Sequence, residues 1–109
     1  MRKINQVYLQ DMLEAVKTIE EYVEGVGREQ FLDEGMRQDA VVRQLMIIGE
    51  AANKLSEDFI EKYPDFPLVE AVSMRNMLVH GYDEVDLGIV WDTVQKDLSI
   101  LKKKLEEIL

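Results

Sequence analysis

"RQDAVVRQLMIIGEAANKLS", residues 37–56, is the stretch on which the reading of this chain turns. Val41, Leu45, Ile48, Ala52 and Leu55 recur at three- and four-residue spacing, which places them on one face of a helix. Val42, Met46 and Ala51 widen that face sideways. A helix apolar over so much of its circumference has to be covered on more than one side, so the stretch predicts the central helix of a bundle. Gly49 and the pair Ala51, Ala52 further predict a close helix approach, because small side chains let a neighbouring backbone come near.

The rest of the chain supplies the neighbours. From Ile4 to about Glu24, the residues Ile4, Val7, Tyr8, Met12, Ala15, Val16, Ile19 and Val23 predict an amphipathic helix, ended by Gly25 and Gly27. "REQFLDEG", residues 28–35, reads as a connector. Ser56 can cap a short helical continuation, "EDFIEKY", before Pro64 and Pro67 mark a turn. A third main helix is predicted from roughly Leu68 to Val79, with Gly81 where a left-handed cap would fall. Asp86 can cap the last helix, in which Val90, Trp91, Val94, Leu98, Leu101, Leu105 and Ile108 repeat at helical spacing. The expectation is an all-α, up-and-down bundle of four principal helices plus short helical segments, forming one domain over residues 1–109. Spare apolar surface on partly two-sided helices predicts a homodimer.

Bulk composition narrows the function classes. The chain has 109 residues, 47% of them apolar and 32% charged, the profile of a small globular domain. It has no cysteine, which removes disulfides, thiolate metal sites and a cysteine nucleophile. A single histidine and scattered carboxylates give no metal-ligand spacing, and no cofactor is implied. Thirteen Lys and Arg against 22 Asp and Glu leave a formal charge of −9, which argues against coating nucleic acid by counterion release. Contact with RNA is then expected at a small basic focus or at two foci pooled by a dimer. No signal-peptide pattern and no bilayer-length apolar window occur, so the expectation is a cytoplasmic protein without membrane contact.

The chemistry-bearing residues cluster in "MRNMLVHGY", residues 74–82. The guanidinium of Arg75 can hold a phosphate by a bidentate contact, and the imidazole of His80 can move a proton near neutral pH. Together they suffice for RNA cleavage without a metal ion. On a regular helix the two lie roughly 140° apart, so the chain has to unwind or end near His80 for them to meet. Asn76 and Ser73 can support the pair, and Tyr82 offers a phenol as hydrogen-bond donor or modification target. The structural alternative is a histidine capping a helix end and an arginine paired with a carboxylate. Glu50 and Asn53 could reach the same cleft or could serve as partners for Arg43 or Lys54. Trp91 reads as a core anchor, the methionines as core or interface filling, and Lys102 to Lys104 as a solvated face.

"MRNMLVHGY" resembles the R-x-x-x-x-H-x-Y motif of HEPN-superfamily ribonucleases, specifically the HepT-like toxins of prokaryotic toxin–antitoxin pairs. "YLQDMLEAV", "RQDAVVRQLMIIGEAANKLS", "YPDFP" and "GYDEVDLGIVWDTVQKDLSIL" are similar to the same family, so the resemblance runs along nearly the whole chain. Leu68 stands where many members carry tryptophan, a packing difference outside the motif. The resemblance implies a HEPN-like helical homodimer with both motifs facing one cleft, and a metal-independent endoribonuclease toxin of a type VII-like system. It further implies that Arg75 binds the scissile phosphate, that His80 acts on the proton of the ribose 2′-hydroxyl or leaving oxygen, and that Asn76 assists. Tyr82 matches the tyrosine to which an MNT-type nucleotidyltransferase antitoxin adds AMP. A reading of another class, a non-catalytic helical partner of a nucleotidyltransferase, shares the acidity and the spare apolar surface, and a plain dimerisation module is a third.

Overall fold

A computed structural model describes residues 3–78 and 86–109. In chain order the helices are α1 (Lys3–Val23), α2 (Arg28–Asp33), α3 (Gly35–Asn53), α4 (Glu57–Lys62), α5 (Leu68–Ser73), α6 (Leu87–Asp92) and α7 (Leu98–Ile108). A 3₁₀ turn over Met74–Leu78 continues α5, and a π turn over Thr93–Asp97 joins α6 to α7. The described residues contain no strand, so the fold is all-α as expected. The central helix is α3: α1, α5 and the 3₁₀ turn pack against it, and α2 touches both it and α6. None of the described helices is long and apolar enough to cross a membrane.

The core face of α3 matches the sequence pattern, with Val41, Leu45, Ile48, Ala52 and Leu55 all buried. Facing it, α1 contributes Leu9, Met12, Val16 and Ile19. Two residues expected on that apolar face are not in it: Ile4 is 54% and Val7 46% exposed. Relative to Met12 they are turned away by roughly 80° and 140° around the axis, and Asn5 occupies the core side instead. Asn5 is 2% exposed, and both ends of its amide are hydrogen-bonded. Its Nδ2 donates to Ser56 Oγ at 2.8 Å, and its Oδ1 accepts from Ser56 N at 3.1 Å. Ser56 in turn caps α4 by accepting from Phe59 N at 3.3 Å, so one serine ties two helices together.

Four expectations need correction. The connector 28–35 is itself helical over Arg28–Asp33, since Phe31 has to be driven into the core, where it is completely buried against Trp91 at 5.2 Å. Burying one such ring contributes roughly 2–3 kcal/mol, enough to order a single turn. The helix expected to run unbroken from Leu68 to Val79 ends at Ser73 and tightens into the 3₁₀ turn, a change that carries Met74 into the core. The last helix takes a π turn at 93–97, where Thr93 and Val94 are buried. Finally, the lysine run is not simply solvated. Lys102 pairs with Glu20 at 2.9 Å, and Lys104 pairs with Asp65 and with Glu107. Those partners raise both ammonium pKa values, and the Lys104 contact holds the Asp65 carboxyl below its ordinary value.

Candidate active site

Arg75 is positioned by a contact between two backbones. Gly49 lies on the flank of α3 that meets the 3₁₀ turn, and a Cβ built on it would stand 2.6 Å from Arg75 Cβ and 2.8 Å from Arg75 Cα. No side chain can occupy that space, so glycine is what lets the turn seat directly on α3. The neighbouring Met74 anchors the same turn, 1% exposed among core residues. The close approach anticipated from Gly49 is therefore real, and its partner is the arginine turn. Periodicity alone could not name that partner, because the contact joins residues 26 positions apart in sequence.

Arg75 itself is half-buried, and its guanidinium has no hydrogen bond or ion pair among the described residues. Two other arginines are engaged, whereas Arg43 on α3 shares the lack of a partner among the described residues. Arg37 bonds Glu34 at 2.8 Å and also donates to the Tyr22 carbonyl, while Arg28 lies 3.5 Å from Asp92. The Arg37 contact lowers the pKa of the Glu34 carboxyl. Asn76 is exposed beside Arg75. Ser73 is also exposed, and its hydroxyl donates to the Glu70 carbonyl at 2.7 Å, one turn back in α5. His80 and Tyr82, with Gly81, fall outside the described residues. The described chain resumes at Asp86, whose carboxylate accepts from Ile89 N at 3.1 Å and caps α6 as expected.

Glu50 and Asn53 are exposed on α3. Glu50 does not pair with Arg43 or Lys54 among the described residues, although all three line one groove between α1 and α3. That groove, of about 330 Å³, is also lined by Tyr8, Asp11, Met46 and Ile47, and Lys54 Nζ stands 5.9 Å from the Tyr8 ring centre. Sequence reasoning did not single out Tyr8 or Asp11 as partners of this face. The available signal was the spacing of Arg43, Ile47, Glu50 and Lys54 along one side of α3. Trp91 is half-buried and packs at a tilt against Phe31, an anchor at the edge of the core. Among the described residues no group of three His, Cys, Asp or Glu side chains is placed to hold a metal ion.

The described residues thus form a helical domain that presents the Arg75 side chain from a turn clamped against α3. Comparison with known proteins makes the class definite. The family described as "Ribonuclease HepT-like" matches residues 12–108. A protein of Thermococcus cleftensis named "probable ribonuclease HepT" is 39% identical over 108 residues, covering 99% of this chain and 98% of the relative. A candidate RNase of Caldanaerobacter subterraneus is 36% identical over 107 residues, covering 98% of this chain and 96% of the relative. A gamma-glutamylcyclotransferase and candidate RNase of Methanocaldococcus jannaschii is 40% identical over 109 residues, and this chain spans about half of its length, 49%. No solved structure gives a significant match. The chain belongs to the HepT-like ribonuclease family, a family of RNA-cleaving enzymes.

Proposed function

We propose that this protein is a metal-independent endoribonuclease, the toxin of a type VII-like HEPN/MNT pair, acting in the cytoplasm as a homodimer of single domains. The observation that carries the reading is Arg75: a half-buried residue whose backbone is seated against Gly49 and whose guanidinium has no partner among the described residues, in a chain of net charge −9. A planar cation carried on a fixed stretch of backbone and left unneutralised is suited to a bidentate phosphate contact and to charge developing on phosphorus. In this reading the ribose 2′-oxygen attacks the phosphorus that Arg75 holds, and the bond to the 5′-oxygen breaks. The proton leaves the 2′-hydroxyl and another reaches the departing oxygen, His80 carrying one of these transfers. The products are a 2′,3′-cyclic phosphate and a 5′-hydroxyl. Asn76 and Ser73 support the site, and both copies of the motif share a cleft.

Silencing is proposed at Tyr82. Its phenol oxygen attacks the α-phosphorus of ATP on a nucleotidyltransferase antitoxin, pyrophosphate leaves, and the phenolic proton is lost. The added AMP brings bulk and negative charge near Arg75 and repels a phosphate backbone.

The test is cleavage of an end-labelled RNA pool by the purified protein in excess EDTA. His80→Ala is expected to slow cleavage about 10²–10⁴-fold, the usual contribution of a positioned acid or base. Arg75→Lys is expected to restore only part of the rate lost in Arg75→Ala, because a point charge lacks the fork. The rate of the wild-type protein should follow a group titrating in the histidine range. Wild-type protein that is unmodified at Tyr82 by intact mass and still cuts no RNA would overturn the proposal. The acidity of the chain would then favour the second reading, a non-catalytic partner of a nucleotidyltransferase, whose complex should tolerate loss of Arg75 and His80.

A further inference from the structure

The outer face of α3 carries four exposed charges in a particular order: Asp39, Arg43, Glu50 and Lys54. At about 100° per residue all four fall within roughly 40° of one line along the helix, with Met46 and Ile47 between them. Asp39 and Lys54 are equally far from the midpoint between Met46 and Ile47, and so are Arg43 and Glu50. Reversing the helix about that midpoint therefore lays every charge on one of opposite sign. The ordinary account of such a face, intrahelical pairs four residues apart, is not what the structure contains. Neither Asp39 with Arg43 nor Glu50 with Lys54 is in ion-pair contact, and none of the four has another ion-pair or hydrogen-bond partner among the described residues.

We infer that this face is where a second copy of the chain docks, with the two α3 helices antiparallel about a two-fold axis between Met46 and Ile47. The inference rests on the proposed homodimer and specifies its interface. Isologous contact requires a self-complementary surface, and the mirrored charges meet that requirement residue by residue. Arg43 meets Glu50 of the other copy and Asp39 meets Lys54, while Met46 and Ile47 cover each other at the centre. The reversal also brings Met36, 90% exposed, level with the start of α1 in the other copy, where Ile4 is 54% exposed. Apolar contacts then flank the charged ones at both ends. For antiparallel neighbours the two-fold axis runs normal to the plane of the pair, so a feature on one side of that plane recurs on the same side. Gly49 lies roughly 120° around α3 from the docking line. Both Arg75 turns therefore end on one side of the dimer, as a shared cleft requires.

The test is a charge swap read by sedimentation velocity across a concentration series, with helicity checked by circular dichroism. Wild-type protein is expected to be a dimer. Arg43→Glu alone and Glu50→Arg alone each place like charges across the axis and are expected to weaken dimerisation at least tenfold. The double variant restores both cross-pairs and is expected to recover within about threefold of wild type. Asp39→Lys with Lys54→Asp repeats the design should the first pair impair folding. A wild-type dimer that neither single reversal weakens overturns the assigned face and leaves the homodimer standing. A monomeric wild-type chain overturns both and leaves this face to a different protein.

Discussion

The two sides of α3 use the same helix in opposite ways. On one side Gly49 removes a side chain altogether, and the Arg75 turn closes down until no Cβ could be admitted between them. On the other, Arg43, Glu50 and Lys54 stand exposed along an open groove against α1. The closed side fixes one backbone against another and so fixes where a guanidinium starts. The open side leaves Arg43 and Glu50 without ion-pair or hydrogen-bond partners among the described residues, and holds Lys54 only by its approach to the Tyr8 ring. The contrast teaches that the proposed catalytic cation and the proposed docking surface are both products of what α3 lacks: a side chain on one flank, intrahelical ion pairs on the other.

Gly49→Ala should break the closed side and give the largest combined effect, on folding stability and on cleavage together. Helix propensity alone favours alanine by about 1 kcal/mol. Against that, the new methyl group meets backbone atoms of Arg75, which cannot swing aside as a flexible side-chain tip can. Overpacking that forces backbone shifts costs roughly 1–3 kcal/mol, occasionally more, and contacts this short place the site at the upper end. The net expectation is destabilisation by about 2 kcal/mol, checked by urea unfolding, with a loss of RNA cleavage beyond what stability explains. A variant more stable than wild type would show that the turn is not clamped by this glycine.

At one end of the open side, Asn5 and Ser56 tie α1 to the start of α4. Asn5→Ala removes both bonds and strands the Ser56 amide, with an expected cost of about 1–3 kcal/mol in the same unfolding experiment. Cleavage per folded molecule should change little, since neither residue contacts the Arg75 turn in the proposed site. An equal loss of cleavage would blur the contrast between the two sides.

Asp65 and Lys104 provide a control remote from both sides. The Lys104 ammonium lowers the Asp65 pKa from its ordinary 3.8, so the folded state holds the carboxylate charged to lower pH than the unfolded chain does. The pair's contribution is present above pH 3.8 and is lost as pH falls through the depressed folded value. Lys104 is raised above 10.5, so its contribution persists at neutral pH and is lost as pH rises through the raised value. Asp65→Asn should flatten the acid limb of a stability-versus-pH profile and leave cleavage at neutral pH unchanged. The effect should be the smallest of the series, as exposed pairs are screened by water.

Much of this organisation was legible before any coordinates. The three- and four-residue spacing of Val41, Leu45, Ile48 and Ala52 determined a central helix, because burial has to follow helical geometry. Ser56 and Asp86 were readable as caps from their chemistry, and Gly25, at φ 71°, as a helix-ending residue. Arg75, His80 and Tyr82 were readable as candidates from residue type and order, and of the three only Arg75 lies among the described residues. Only the tertiary structure decided that the segment after Ser73 winds as a 3₁₀ turn, that residues 28–33 become a helix around Phe31, and that Asn5 rather than Ile4 faces the core. These outcomes depend on which distant surface each residue meets. Local pattern determines where a helix can form and which face it offers, and packing between residues far apart in sequence decides what that face touches.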